Sequence, residues 1–167
     1  IIPEPFYANY NGFAQASDVK VIPITSKIED NFALPSIESF EKKINKRTKA
    51  ILICNPCNPT GYVYSKEEIT KIANLAKKND LFIVVDEVYR EFIYTDLKHF
   101  SILEDKTFFD NAILIDSTSK RYSLCGARIG FIVSKNSKFI ETCMKFALAR
   151  LSPSNSCINS SKQCIKI

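Results

Sequence analysis

A lysine close behind an apolar run is the first residue of this sequence that could do chemistry. Residues 113–115 (Ile-Leu-Ile) lead into a polar turn that contains Ser117 and Lys120, and Arg128 follows eight positions after that lysine. An amine held in a partly desolvated cleft loses its proton more easily and can form a Schiff base. Taken alone, Lys120 fits a solvated surface lysine better, so its interpretation depends on what stands upstream.

Two earlier apolar runs are also followed by polar side chains. Asp86 comes directly after residues 81–85, with Tyr89 three positions later, and Asn58 lies in a proline-rich loop after residues 50–54. A carboxylate at the end of a buried strand is costly unless it has a partner. By itself, the aspartate is better explained as a surface carboxylate that caps the following segment. Its significance comes from the similar position of the other polar groups.

The apolar runs alternate with amphipathic segments, which predicts an α/β fold with a mostly parallel sheet and helices on both faces. Ligands of such sheets bind at the carboxyl ends of the strands, where Asn58, Asp86 and Lys120 should meet. The stretch from Lys120 to a fourth strand at residues 129–134 is too short for a crossover, so that strand should run antiparallel. This arrangement returns Arg128 to the same edge.

The remaining elements follow from local signals. Ser65 and Glu68 form a capping box that opens a helix, with its buried face at every third or fourth position. We expect strands at residues 1–3, 19–24, 50–54, 81–85 and 112–115. We expect helices up to about residue 16, over 35–44, after Ser65, and from Asn136 or Ser137 to about 150. Ser152 and Pro153 should end the last helix.

Composition limits the classes of function. The chain has 167 residues, enough for one domain, and its net charge of +5 is spread among acidic residues rather than gathered in a basic stripe. No apolar run reaches the length of a membrane span. We therefore expect neither a nucleic-acid partner nor a membrane partner. The chain opens without methionine, which suggests a piece of a longer protein.

The cysteines and the single histidine do not suggest a metal site. Cys54 and Cys57 are separated by two residues, but the surrounding prolines forbid the helix that a thioredoxin-like motif needs. Zinc would require a second well-spaced pair, and His99 is the only histidine. The six cysteines are best interpreted as free thiols of a cytoplasmic protein.

The polar groups at the predicted sheet edge match one cofactor. A lysine for a Schiff base, an acid for a pyridinium nitrogen, and an arginine with a hydroxyl for a phosphate are what pyridoxal 5′-phosphate (PLP) requires. Arg128 suits a phosphate because its planar fork donates two hydrogen bonds at once. The alternative for this arginine is a solubilising residue at a strand edge.

Three sequence blocks carry a family resemblance. Residues 55–61 (Asn-Pro-Cys-Asn-Pro-Thr-Gly), 86–89 (Asp-Glu-Val-Tyr) and 117–120 (Ser-Thr-Ser-Lys), the last continued by 126–130 (Gly-Ala-Arg-Ile-Gly), resemble the signatures of fold-type I, class I/II aminotransferases. The similarity runs from about residue 3 to 153 and is greatest to the aspartate aminotransferase group. It implies PLP-dependent transfer of an amino group from an L-amino acid, with aspartate as a candidate, to a 2-oxo acid such as 2-oxoglutarate.

The resemblance also implies roles for individual residues. Lys120 would hold the cofactor and then move a proton between the substrate and the cofactor. Asp86 would keep the pyridine nitrogen protonated, and Tyr89 and Asn58 would hydrogen-bond the phenolic oxygen of the ring.

Ser117 and Arg128 would bind the phosphate. Tyr7 stands where the family places an aromatic side chain stacked on the ring, and a core tyrosine is an equal alternative.

The chain also departs from the family. The glycine-containing phosphate loop, the small domain and its substrate-binding arginine are absent, so residues 1–153 form a partial large domain and 154–167 an atypical tail. The resemblance implies a homodimer for the full-length protein. Two alternatives remain open: a PLP-dependent lyase of the same fold, and a non-catalytic, truncated PLP-binding module.

Overall fold

The computed structural model of this protein describes residues 1–149. Its strands and helices are, in chain order, β1 (Ile2–Glu4), α1 (Asn9–Ala16), β2 (Pro23–Thr25), α2 (Ile37–Glu41), β3 (Ala50–Cys54), α3 (Lys66–Lys78), β4 (Phe82–Asp86), β5 (Ala112–Ser117), α4 (Thr118–Arg121), β6 (Gly130–Val133) and α5 (Ser137–Ala149). Single 3-10 turns lie at Ile28–Asp30, Ile102–Glu104, Lys106–Phe108 and Cys125–Ala127.

The central sheet has the strand order β3-β4-β5-β6. Strands β3, β4 and β5 are parallel, with Cys54 beside Asp86 and Asp86 beside Ile115, whereas β6 pairs antiparallel with β5. The predicted mostly parallel sheet with one antiparallel strand is therefore confirmed. Strands β1 and β2 form a separate parallel pair, which joins the edge of β3 where the Leu52 amide donates to the Ile1 carbonyl over 2.9 Å.

Helices lie on both faces of this sheet. On one face, α3 packs its apolar stripe on alternate residues of β3 and β4, and the contacting side chains are fully buried: Ile51, Ile53, Ile69, Ile72, Ala73, Ala76, Ile83 and Val85. Burial of each isoleucine stabilises the fold by about 1.5–3 kcal/mol. On the opposite face, Phe139 of α5 packs against Phe82 with ring centroids 5.4 Å apart. The packing fixes the sheet and, with it, the loops at the strand ends.

The capping box predicted for α3 is present in both directions. The Glu68 amide donates to Ser65 Oγ over 3.1 Å, and the Ser65 amide donates to Glu68 Oε2 over 2.8 Å. Glu68 Oε1 also accepts a hydrogen bond from the Tyr62 hydroxyl over 2.9 Å. The start of α3 is thereby tied to the loop that leaves β3.

Two predicted elements are shorter than the sequence indicated. The strand expected over residues 19–24 is limited to β2, because α1 ends in a turn in which Asp18 has a positive φ and the Val19 amide donates back to Ala14. The helix expected over residues 35–44 is limited to α2, which buries a single side chain, that of Phe40. A single buried side chain provides too little tertiary packing to stabilise further helical turns.

Other predictions lie beyond the described part of the chain. The helix stop at Ser152 and Pro153, the domain boundary at 153 and the tail 154–167 all fall outside residues 1–149. Within residues 1–149, no helix combines the length and the apolar character needed to cross a membrane. The same residues contain no group of three or more His, Cys, Asp or Glu side chains able to hold a metal ion.

Candidate active site

One cleft of about 710 Å³ opens at the carboxyl ends of the parallel strands. All seven residues singled out in the sequence line it: Tyr7, Asn58, Asp86, Tyr89, Ser117, Lys120 and Arg128. The lysine amine and the aspartate carboxyl therefore lie on the same side of the sheet. The structure therefore brings these side chains together at one edge of the sheet, as the strand order predicted.

Lys120 is carried by the short helix α4, which begins directly at the end of β5. Ser117 caps this helix, since its Oγ accepts a hydrogen bond from the Ser119 amide over 3.1 Å. Lys120 Nζ lies 5.7 Å from the centroid of the Tyr89 ring, within the range of a cation–π contact. Lys120 is exposed at the rim of the cleft, which agrees with the interpretation of this residue, taken alone, as a solvated lysine.

Asp86 ends the central strand β4 and faces the interior of the cleft. Its Oδ1 accepts a hydrogen bond from the Val88 amide over 3.2 Å, and its Oδ2 accepts one from the Tyr10 hydroxyl over 2.7 Å. Burial raises the pKa of Asp86, while these two hydrogen bonds act in the opposite direction by favouring the ionised form. The side chain is thus a half-buried acid with partners on both oxygens.

Tyr10 is a residue of this site that the sequence reasoning did not single out. Burial raises the pKa of its hydroxyl, so Tyr10 remains a hydrogen-bond donor to Asp86. It belongs to α1, three positions after Tyr7, and the two rings meet edge to face with centroids 5.6 Å apart. No local signal in the sequence indicates its contact with Asp86, which lies 76 positions away.

Tyr7 is half-exposed at the mouth of the cleft, with 41% of its surface accessible. Its hydroxyl accepts a hydrogen bond from Asn9 Nδ2 over 2.7 Å. The alternative of a core tyrosine is therefore excluded.

Asn58 reaches the cleft from a tight loop that follows β3. Two backbone hydrogen bonds of 2.8 Å close this loop, from Gly61 to the Cys57 carbonyl and from Cys57 to the Tyr62 carbonyl. Gly61 has φ +73°, a conformation that L side chains rarely adopt. The closed loop presents Asn58, partly exposed, to the cleft.

Arg128 and Ser117 are brought to the rim by the pairing of β5 with β6. Ser117 is the register partner of Gly130, and Arg128 lies two residues before that glycine. Arg128 has φ 54°, in the left-handed region, and its Nη1 donates to the Cys125 carbonyl over 3.0 Å. A hydroxyl and an exposed guanidinium thus stand on the same side of the opening.

Asp116 organises an ion-pair cluster that the sequence reasoning also missed. Its Oδ2 accepts a hydrogen bond from Arg121 Nη2 over 2.8 Å and lies 3.5 Å from Arg90 Nη2, while its Oδ1 accepts one from the Ser117 amide over 2.8 Å. Arg121 Nε is also 3.4 Å from Glu91 Oε1. The two arginines directly follow Tyr89 and Lys120 in the chain, so Asp116 ties together the two segments that carry these side chains.

A thiol also lines the cleft. Burial raises the pKa of Cys54 to about 12, so it stays protonated, and its Sγ donates to the Pro56 carbonyl over 3.2 Å. Within residues 1–149 all four cysteines are free, as predicted.

An α/β sheet whose strand ends gather an amine, a carboxyl, a phenol and a guanidinium defines a protein with a cofactor-type cleft at the carboxyl edge. The chain belongs to the aminotransferase class I and II family, whose sequence profile matches residues 1–161. The resemblance drawn from the three sequence blocks is confirmed.

Individual relatives agree with this assignment. The chain is 34% identical over 148 residues to the aspartate aminotransferase of Pyrococcus abyssi, covering 89% of this chain and 38% of the relative. The aspartate aminotransferase of Thermotoga maritima superposes with a TM-score of 0.88 at 28% identity, over 99% of this chain and 44% of that one. A PLP-bound candidate aminotransferase from Clostridium difficile gives a TM-score of 0.83 at 25% identity, over 93% and 41% of the two chains. This chain thus spans less than half the length of these relatives.

Proposed function

We propose that the protein is a PLP-dependent aminotransferase of the aspartate aminotransferase group. It transfers an amino group from an L-amino acid to a 2-oxo acid, with aspartate and 2-oxoglutarate as the leading candidates. The observation that carries the proposal is the single cleft in which Asp86 and Lys120 lie on the same side of the sheet. Family membership and the named aspartate aminotransferases support it. The working form is proposed to be a homodimer in the cytoplasm.

The side chains of the cleft fit PLP by their chemistry. An aldehyde needs a primary amine, a ring nitrogen needs an acid, a phenolic oxygen needs donors, and a phosphate needs a guanidinium and a hydroxyl. Lys120, Asp86, Tyr89 with Asn58, and Arg128 with Ser117 supply these groups in that order. When bound, PLP supplies an electron-withdrawing ring that stabilises negative charge on a substrate carbon.

The residues around that ring have separable tasks. Lys120 Nζ would hold the cofactor, and the same amine would take up and return the proton of the substrate carbon. Asp86 holds a proton on the ring nitrogen, and the hydrogen bond from Tyr10 orients its carboxyl for this task. Within residues 1–149, Lys120 is exposed to solvent.

Binding and orientation fall to the other side chains. Tyr89 and Asn58 donate to the phenolic oxygen from neighbouring strand ends. Arg128 and Ser117 bind the phosphate at the rim, where the planar guanidinium can donate two hydrogen bonds. Tyr7, at the mouth of the cleft, would stack on the ring.

The proposal is tested by adding PLP and following the absorbance band of a protonated Schiff base. The wild-type protein should develop the band, and borohydride reduction should fix the cofactor on Lys120 in a peptide map. Lys120→Ala should abolish both signals. Lys78→Ala is the matched control, because Lys78 is a surface lysine far from the cleft whose amine pairs with Glu41. A band that persists in Lys120→Ala would refute the role of this lysine.

A non-catalytic PLP-binding module is the second candidate. The exposure of Lys120 favours it. Product analysis separates the possibilities: a new 2-oxo acid indicates an aminotransferase, release of ammonia indicates a lyase, and a Schiff-base band without either product indicates a module that only binds.

A further inference from the structure

Glu87 is a buried acid that the proposed reaction does not use. It follows Asp86 directly, but strand alternation turns its side chain away from the cleft, and none of its surface is accessible. Its Oε1 accepts two hydrogen bonds, from Ser101 Oγ over 2.9 Å and from the Ile102 amide over 3.0 Å. One oxygen of the carboxyl is therefore fully satisfied behind the sheet edge.

The other oxygen faces the single histidine of the sequence. Glu87 Oε2 lies 3.7 Å from His99 Nε2, and within residues 1–149 neither of these buried atoms has a hydrogen-bond partner. Two unpaired buried polar atoms that face each other are a costly arrangement. A small torsional change in either side chain closes the gap, provided that one proton lies between them.

The neighbouring charges and the burial of the pair determine whether Glu87 or His99 carries that proton. The charge of Arg90 lowers the pKa of both Glu87 and His99. Its guanidinium already forms ion pairs with Asp116 and Glu91. The charge of Asp116 raises the pKa of Glu87, and the charges of Glu91 and Glu104 raise the pKa of His99. Burial raises the pKa of Glu87 to about 7 and lowers the pKa of His99, so a buried ion pair is disfavoured relative to two neutral groups.

We propose that Glu87, as a neutral acid, donates its proton to Nε2 of a neutral His99, and that this pair positions Asp86. The pair is connected to Asp86 through the backbone of Asn55. The His99 ring lies within hydrogen-bonding reach of the Asn55 carbonyl, and the Asn55 amide donates to the Asp86 carbonyl over 2.9 Å. The pair thereby joins the end of β4 to the loop that follows β3. Its effect on the cofactor rests on the proposed function, whereas the proton position does not.

The proton position is tested by nitrogen-15 NMR of the imidazole, which is assigned at once because the sequence contains one histidine. At about pH 6, below the ordinary pKa of histidine, the ring should be neutral, with its proton on Nδ1 and Nε2 accepting. Glu87→Gln should keep this tautomer, because the amide group offers a hydrogen to the same nitrogen. An imidazolium ring in the wild-type protein, or a change of tautomer in Glu87→Gln, would overturn the proposal.

The positioning role is tested by titration with PLP, followed by Schiff-base absorbance. Glu87→Gln should bind like the wild type, whereas Glu87→Met, which offers no hydrogen bond, should bind about tenfold more weakly or worse. Equal affinity of all three proteins, or equal loss in both variants, would overturn the role. If the wild type itself shows no band, the proposed function fails, while the imidazole spectrum still decides the proton position.

Discussion

Replacement of Asp116 by asparagine should destabilise the protein through the loss of one charge. Asp116 and Arg121 form a hydrogen bond of 2.8 Å with side chains that are 10% and 18% exposed, so solvent screens the pair only weakly. Asparagine keeps an oxygen for the Ser117 amide but loses the charge that attracts Arg121 and Arg90. A hydrogen bond to a charged group contributes about 1.5–3 kcal/mol. We therefore expect the free energy of unfolding to fall by about 2 kcal/mol in Asp116→Asn.

The assay is urea denaturation, extended to a double-mutant cycle with Arg121→Gln. If the pair interacts directly, the coupling energy should be about 1–2 kcal/mol. Glu41→Gln is the control, because Glu41 pairs with Lys78 over 3.4 Å through side chains that are 45% and 73% exposed. Such a pair contributes about 0.5 kcal/mol or less. A coupling energy for Asp116 and Arg121 no larger than that of Glu41 and Lys78 would refute the reasoning.

Three other changes give independent tests. Glu87→Gln should flatten the pH dependence of stability, because burial raises the pKa of Glu87 from 4.5 to about 7 and the folded protein then retains a proton that the unfolded chain releases. Wild-type stability should therefore fall, relative to Glu87→Gln, as pH rises through that window, by about 3 kcal/mol, and parallel pH profiles would contradict the shift. Tyr10→Phe removes the donor to Asp86 and should weaken PLP binding about tenfold in the absorbance titration, so an unchanged affinity would remove Tyr10 from the site. Ser65→Ala should lower the urea midpoint by the equivalent of about 1 kcal/mol, whereas Ser36→Ala, at a helix start without a side-chain cap, should lower it less.

The strand ends of the cleft were predictable because they depend on local pattern. Continuous apolar runs mark strands covered on both faces, and parallel strands place the residues that follow them at one edge. This logic locates Asn58, Asp86 and Lys120 without any knowledge of side-chain contacts. The short return to β6 likewise forces the antiparallel pairing that brings Arg128 to the same rim.

The contacts around those residues were not predictable, because they join segments distant in sequence. Tyr10 and Asp86 are 76 positions apart, and no local signal pairs a helix tyrosine with a particular strand end. The shortened α2 shows the same limit, since its length is set by how much of it finds a core and not by its apolar spacing.

Adjacent carboxyls at the end of β4 show why position along a strand matters more than residue type. Asp86 and Glu87 would repel each other as two exposed anions, yet successive side chains of a strand point to opposite faces. Asp86 meets a phenol and a backbone amide at the cleft, which favour its ionised form against the effect of burial. Glu87 meets a hydroxyl, an amide and an imidazole inside the protein, where burial favours the protonated acid. Burial therefore raises the pKa of both neighbouring acids, but their hydrogen-bond partners differ, and only Asp86 faces the cleft in which we propose that the cofactor binds.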